Sequence, residues 1–185
     1  MEKKSPAFGY HSQISARQED EKWVAVDLGR EVELSRVVLH PCHDAYNNIG
    51  AGFGFPVRFL VEAAKHESFP APTVLADESA GDYPNPGLGE YSAAGKGTIA
   101  RFVRVRAVKL APRSNDYILA LGELEVFDKD GTNIARGKKV LSRDSVQAPV
   151  RWARKNLTDG SWPRAKNEAA VSALAQAKKK RDALM

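Results

Sequence analysis

Hydrophobic and polar residues alternate with a period of two along most of the chain. In the run 23–29, Val24, Val26 and Leu28 fall on one face of an extended segment, which predicts a half-buried strand. Gly29-Arg30 interrupts this run, and the pattern resumes from Val32 to Leu39. Similar runs over residues 57–63, 102–108, 121–127 and 134–140 predict further strands.

The segment 102–108 has the most regular alternation. Val103, Val105 and Ala107 share one face, whereas Arg104 and Arg106 share the other, where we expect them to be exposed. Two long loops are predicted at 41–56 and 76–98, and loops longer than about 12–15 residues are usually functional. Because no helical period occurs before residue 164, the pattern indicates an all-β sandwich.

The last residues have a different character. Residues 164–184 are rich in Ala and Lys and contain no Gly or Pro, which predicts a helix with a thin apolar stripe that includes Val171 and Leu174. We therefore divide the chain into a sandwich domain, 1–163, and a C-terminal helix or linker, 164–185. The stripe predicts that the helix either continues a longer element or packs weakly on the body.

Charge separates the same two parts. The 185 residues carry a net charge of +5, but residues 1–135 have a balance of −4 and residues 136–185 one of +9. The basic character therefore belongs to the tail and does not predict a nucleic-acid partner. No apolar run is long enough for a transmembrane segment, and the amino terminus does not have the pattern of a signal peptide.

Catalytic motifs are not found in the sequence. His40, Cys42 and His43 form the densest cluster of reactive side chains, but in an extended chain His40 and Cys42 point to one side and His43 to the other. This spacing disfavours a metal centre or a Cys-His nucleophile pair, so we expect a protein that is not an enzyme.

Residue types suited to sugar recognition are concentrated in two loops and near the amino terminus. Aromatic rings can lie against the C–H faces of a sugar, while amide, carboxylate and imidazole groups can bind its hydroxyls. The alternative is that the same residues form turns and loop anchors, which we favour for Phe53 and Phe55. The predicted ligand-binding residues are Tyr10, His11, His43, Asp44, Tyr46, Asn47, Asn48, Arg113, Asn115 and Tyr117.

Three ordered blocks resemble the discoidin, or coagulation factor five/eight type C, family. They are WVAVDLGREVELSRVVLHP at 23–41, ARFVRVRAVKL at 100–110 and LALGELEVFD at 119–128. With GYHS at 9–12 and GAGFGFPVRF at 50–59, the chain is similar to a subtype found in secreted bacterial glycan-processing proteins, often beside glycoside hydrolase domains.

The resemblance implies a fold, a function and a location. The fold is a galactose-binding-like jelly-roll β-sandwich that binds glycans through loops at one end and is not catalytic. It also implies a secreted or periplasmic protein with an adjacent catalytic domain as a partner. The alternative hypothesis is a structural or protein-interaction module that docks neighbouring domains.

The sequence motifs of the family occur in a different order in this chain. The family's opening motif resembles Asn133 to Val140 followed by Asn156 to Gly160, which here come after the body. Two explanations stay open: the segment 133–160 folds back to supply the first strand, as in a circular permutation, or it begins a second domain.

A calcium ion is a further implication of the resemblance. The family positions that bind structural calcium match Asp159 in the Asp-Gly turn and Glu123 in the last strand. Oxygen ligands of this kind suit calcium. The family's usual continuation after the turn is replaced here by Ser161-Trp162-Pro163.

Overall fold

The structure is a computed structural model that describes residues 5–164 and 168–185. The chain forms short strands joined by turns, two 3₁₀ turns (Tyr46–Asn48 and Arg154–Thr158) and one helix, α1 (Glu168–Asp182). The strands are β1 (Tyr10–His11), β2 (Lys22–His40), β3 (Cys42–Asp44), β4 (Gly50–Phe53), β5 (Arg58–Ala64), β6 (Thr73–Asp77), β7 (Tyr91–Ala94), β8 (Ile99–Lys109), β9 (Ala111–Pro112), β10 (Tyr117–Ile118), β11 (Ala120–Leu121), β12 (Glu123–Asp128) and β13 (Lys139–Ser142).

Strand β2 belongs to both sheets of the sandwich. Its first part, residues 22–27, pairs with β8 and β13, and its last part, residues 34–40, pairs with β12 and β7. One sheet has the order β13-β2-β8-β5-β6 and the other the order β12-β2-β7, with antiparallel pairing throughout. The predicted all-β sandwich with a C-terminal helix is confirmed.

The predicted break at Gly29-Arg30 is an irregularity inside one strand. The register between β2 and β8 shifts between Asp27 and Val32, and Gly29 adopts a φ of 82°. Glycine reaches this left-handed region without the steric cost of a Cβ. The Gly29 N–H donates to Asp27 Oδ1 at 2.8 Å, so the carboxylate satisfies an amide that the shift takes out of the ladder.

Hydrophobic side chains from both sheets fill the space between them. The inward face predicted for β8 is confirmed, since Val103, Val105 and Ala107 are fully buried in the main core. The second sheet contributes Leu124 and Val126 to the same cluster. Burying one such aliphatic side chain contributes about 1.5–3 kcal/mol, so this face dominates the stability of the sandwich.

The outer face of β8 corrects one prediction. Arg104 and Arg106 are not freely exposed, because both bind the carboxylate of Glu62 on the neighbouring strand β5. Glu62 is only 1% exposed, and Arg104 also lies 4.1 Å from the centre of the Phe69 ring. These two arginines are therefore part of an ion-pair network around the buried Glu62 carboxylate.

The two predicted long loops contain strands. Residues 41–56 form a hairpin from β3 and β4, and residues 76–98 include the end of β6 and all of β7. The sequence does not show these strands because they are short and contain many Gly, Ser and Ala residues.

The segment 133–160 lies against the body of the sandwich. β13 pairs with residues 24–27 of β2, and Leu157 is fully buried in the main core. The segment therefore supplies an edge strand to the first sheet, whereas the choice between a circular permutation and the start of a second domain stays a prediction. The division into a domain of 1–163 and a separate helix stays a prediction.

Helix α1 contacts the body through its second half. Leu174 is buried and lies beside Gly89, and Arg181 Nη1 binds Glu78 Oε2 at 2.7 Å. Lys178 Nζ lies 5.0 Å from the centre of the Tyr83 ring. Residues 165–167 of the predicted helix lie outside the described part of the chain, and so does the side chain of Val171 from the predicted apolar stripe. Within the described part of the chain, no helix has the length and apolarity to cross a membrane.

Replacement of Arg181 should loosen α1 without affecting the sandwich. Arg181→Gln removes the partly buried ion pair with Glu78, and a charge-assisted hydrogen bond contributes about 1.5–3 kcal/mol. We expect hydrogen exchange of the α1 amides to become about tenfold faster, since it reports local opening. The matched control is Lys179→Gln, which removes an exposed charge from the same turn. Equal exchange in both variants would show that the ion pair does not hold the helix.

Candidate functional site

The hairpin of β3 and β4 projects a polar tip. Between the strands, Tyr46–Asn48 form a 3₁₀ turn in which Asn47 and Asn48 have φ values of 51° and 59°. Asparagine tolerates this left-handed conformation better than most residues, which explains the Asn-Asn pair at this turn. Asp44 Oδ1 accepts the Tyr46 N–H at 3.0 Å and fixes the start of the turn.

The base of the hairpin is buried. Phe53 and Phe55 are 2% and 5% exposed, which confirms that they anchor the loop. Cys42 is also fully buried, and its thiol donates to the Phe53 carbonyl at 3.0 Å. Phe53 packs with Trp152 and the His11 ring in a second hydrophobic cluster, so the tip is carried by a well-packed support.

The segment 113–116 holds the hairpin tip from one side. Asn47 Nδ2 donates to the Arg113 carbonyl at 2.8 Å, and the Arg113 guanidinium carbon lies 4.7 Å from the centre of the Tyr46 ring. The Arg113 guanidinium donates two hydrogen bonds to the Asp116 carboxylate, from Nε at 3.0 Å and from Nη2 at 2.7 Å. The hydrogen bonds from Arg113 lower the pKa of Asp116, so the pair is ionised and Arg113 is fixed against Tyr46.

Two further segments contribute Phe8, near the amino terminus, and Arg151, in the tail, both of which the sequence analysis missed. Arg151 Nη2 lies 3.4 Å from Asp44 Oδ2, and its guanidinium carbon lies 4.6 Å from the centre of the Phe8 ring. Arg151 is 107 residues from Asp44 in sequence, so only the fold-back of the tail brings them together. The one available signal was the Arg151-Trp152 pair, an arginine next to an aromatic residue.

These four segments contact one another and form one continuous surface, which we call the hairpin-tip surface. It consists of Phe8, His43, Asp44, Tyr46, Asn47, Asn48, Arg113, Asn115 and Arg151. His43, Asn48 and Asn115 are exposed, so the two loops that meet at Tyr46 and Arg113 present an imidazole and two amides to solvent. The structure therefore brings most of the predicted ligand-binding residues together.

The structure places three predicted ligand-binding residues outside the hairpin-tip surface, contrary to the prediction: Tyr10, His11 and Tyr117. Tyr10 is fully buried and donates its hydroxyl to the Asp144 carbonyl at 2.9 Å, whereas Tyr117 packs partly buried against the main core. His11 is 5% exposed, and its Nδ1 lies 2.6 Å from the Ser12 carbonyl. Burial lowers the pKa of His11, so it is a neutral core residue that supports Phe53 and cannot reach a ligand.

Tyr46 has an unusual environment for an aromatic residue. It is 46% exposed. Several large hydrophobic residues are strongly exposed in the described part of the chain, and Tyr46 is the one among them that is aromatic. Arg113 covers one side of the ring. A partly exposed ring can stack on an apolar face of a ligand, and exposed amide and imidazole groups of the same loops can bind its hydroxyls.

The His40, Cys42 and His43 cluster does not assemble a reactive centre. His40 Nε2 lies 2.7 Å from Glu125 Oε2 and its ring stacks on Trp162 at 4.1 Å. Cys42 is buried under the hairpin, whereas His43 is exposed at the tip. His40, Glu125 and Trp162 line a separate open groove of about 500 Å³.

The two positions predicted to bind calcium lie close together. Glu123 Oε1 accepts the Gly160 N–H at 2.8 Å, and Asp159 Oδ1 accepts the Ser161 N–H at 2.9 Å. In residues 5–164 and 168–185, no three His, Cys, Asp or Glu side chains are placed to share a metal ion. Calcium binding stays a prediction of the family resemblance, and the function proposed below does not depend on it.

The backbone at the tip can be tested with two substitutions of Asn47. Asn47→Ala removes the hydrogen bond to Arg113 and puts alanine, which tolerates the left-handed region less well than asparagine, at a φ of 51°. We therefore expect it to cost about 1–2 kcal/mol of unfolding free energy. Asn47→Gly also removes the hydrogen bond but relieves the backbone strain, and should cost less. Urea unfolding of both variants gives the comparison. An Ala variant as stable as the Gly variant would contradict this account of the turn.

Comparisons with known proteins give matches to solved structures at low sequence identity. No protein-family model and no curated protein matches the chain. Among solved structures, chitosan-binding module 1 of a chitosanase/glucanase from Paenibacillus sp. IK-5 is 22% identical with a TM-score of 0.44, over 62% of this chain and 74% of that one.

Two other solved structures are similar to the same extent. The lectin domain of lectinolysin, in complex with Lewis B antigen, is 24% identical with a TM-score of 0.41, over 60% of this chain and 68% of that one. CpGH89CBM32-6 from Clostridium perfringens is 23% identical with a TM-score of 0.40, over 60% and 72%. At these identities, the function must be decided from the site of this chain itself.

Proposed function

We propose that the protein is a non-catalytic carbohydrate-binding module that holds a saccharide on the hairpin-tip surface. The observation that carries this proposal is Tyr46: a strongly exposed ring that contacts Arg113, in loops that also expose His43, Asn48 and Asn115. A sugar ring has an apolar C–H face and hydroxyls along its edge, which match this arrangement.

The rigidity of the surface supports binding without a large ordering cost. Asn47 ties the tip to the 113–116 segment, Asp44 fixes the turn, and the buried Phe53 anchors the base. A surface that is already ordered loses less conformational entropy on binding. Its convex hairpin tip offers little enclosure, so we expect weak affinity for a single site.

Weak affinity is sufficient if the module is tethered to another domain, because tethering raises the effective concentration of the ligand. This is the context that the discoidin resemblance implies. We therefore place the module in a secreted or periplasmic glycan-processing protein with an adjacent catalytic domain. The motif blocks at 23–41, 100–110 and 119–128 support this part of the proposal.

A glycan array followed by calorimetric titration tests the proposal. The array covers plant and bacterial glycans together with chitosan oligosaccharides and the Lewis b antigen, and the full chain is the probe. We expect binding to at least one saccharide, with a 1:1 stoichiometry in the titration. Binding to no glycan on the array would overturn the proposal.

A further inference from the structure

Arg151 is more exposed than the other arginine and aspartate side chains of the hairpin-tip surface, and more exposed than Asp116, which pairs with Arg113 beside it. Its side chain is 58% exposed, whereas that of Asp44 is 12%, that of Arg113 17% and that of Asp116 22% exposed. The two carboxylates are thus largely covered, and the accessible charge at the edge of the surface is positive.

The covered charges are also paired within the surface. Both oxygens of Asp116 accept hydrogen bonds from Arg113. Asp44 accepts the Tyr46 N–H with one oxygen and contacts Arg151 with the other. Arg113 is therefore engaged with Asp116, and Asp44 with the Tyr46 amide and Arg151, before any ligand arrives.

The guanidinium of Arg151 has donors that this surface does not use. Within the described part of the chain, its polar side-chain contact is the 3.4 Å approach to Asp44, and its other contact is the Phe8 ring. A guanidinium has five N–H donors in a planar fork, so one edge can bind a second carboxylate in bidentate fashion.

The turn that positions Arg151 contains a strained backbone conformation at the preceding residue. Val150 has a φ of 86°, which is a clear outlier for a β-branched residue and costs about 1–3 kcal/mol. The turn is closed by Trp152, whose N–H donates to the Ala148 carbonyl at 3.0 Å, and by Asn156 Nδ2, which donates to the Arg151 carbonyl at 3.2 Å. Backbone strain retained next to a ligand surface is a feature of positioned functional residues.

We propose that the hairpin-tip surface selects an acidic saccharide, whose carboxylate pairs with Arg151 while its ring lies on Tyr46. This proposal rests on the proposed function, because it names the class of sugar for the same surface. Asp44 links the two contacts, since it touches the Tyr46 amide at 3.0 Å and Arg151 at 3.4 Å. Arg151 is then the specificity-determining residue.

The test compares acidic oligosaccharides with their own methyl esters. The array carries oligomers of galacturonate, glucuronate and mannuronate and a sialylated oligosaccharide, each as the free acid and as the ester. The full chain, Arg151→Gln, Arg151→Lys and the matched control Arg30→Gln are compared. Arg30 is an exposed arginine in the irregular part of β2, so its replacement removes the same charge elsewhere.

We expect at least one acid to bind about tenfold tighter than its ester, as a charge-assisted contact predicts. Arg151→Gln should abolish this preference, Arg151→Lys should keep part of it, and Arg30→Gln should leave it unchanged. If neutral sugars bind best and Arg151→Gln has no effect, while Tyr46→Ala still abolishes binding, the inference fails and the proposed function stands. If no sugar binds, both fail.

Discussion

Tyr46→Ala is expected to weaken saccharide binding at least tenfold while leaving the fold intact. The substitution removes the exposed ring against which the sugar would stack, and a loss of about 1.4 kcal/mol corresponds to a factor of ten. The side chain is 46% exposed, so its removal should change the unfolding free energy by less than about 1 kcal/mol. Calorimetric titration with the best ligand of the array measures the affinity.

Two control variants separate stacking from other effects of this change. Tyr46→Phe keeps the ring and should bind within about threefold of the unchanged chain, since stacking does not need the hydroxyl. Ile99→Ala removes another strongly exposed hydrophobic side chain, at the start of β8, and should have no effect. If Tyr46→Ala binds as well as Ile99→Ala, the ring is not part of the site.

Glu62→Gln is expected to destabilise the sandwich by about 3 kcal/mol, the largest stability effect we predict. Its carboxylate is 1% exposed and binds two arginines, with Arg104 Nε and Arg106 Nη2 both at 2.8 Å. Removing one member of a buried ionic network leaves the other charges without compensation. Urea unfolding measures the change.

The chain offers a matched control for Glu62. Glu21 binds the same Arg106, at 3.1 Å, but its side chain is 45% exposed. Because exposed ion pairs contribute about 0–1 kcal/mol, Glu21→Gln should have a small effect. Equal losses from the two variants would contradict the view that burial decides the contribution of Glu62.

The pH dependence of stability gives an independent check on the same network. Burial by itself would raise the pKa of Glu62, but the hydrogen bonds from Arg106 and Arg104 outweigh it and lower the pKa below its ordinary value of 4.5. A lowered pKa stabilises the folded state above the unfolded-state value, and this contribution is lost as the pH falls through the folded-state pKa. The difference between the unchanged chain and Glu62→Gln should therefore shrink below about pH 4.5.

The sequence predicts the parts of the fold that have a regular period. The alternation in 102–108 identifies the buried face of β8, because Val103, Val105 and Ala107 all lie in the core. It does not reveal the ion pairs on the other face. Arg104 and Arg106 bind a carboxylate on β5, and a cross-strand partner cannot be identified from one strand alone.

The candidate site likewise has one part that the sequence identifies and one part that it does not. The composition of residues 43–56 identifies the hairpin tip, and its exposed residues His43, Tyr46 and Asn48 lie on one surface. The same criterion fails for Tyr10 and His11, because a polar aromatic residue serves equally well in a core, where its polar atom finds a backbone partner. Arg151 was missed because its place in the site depends on a long-range contact with Asp44.

Backbone amide chemical shifts during a saccharide titration test the central claim most directly. With ¹⁵N-labelled full chain and the best ligand of the array, the account predicts that the largest shifts fall in residues 43–50 and 113–116 and at Arg151. Tyr46→Ala should abolish these shifts. Shifts centred instead on the groove of His40, Glu125 and Trp162, with none at the hairpin tip, would contradict it.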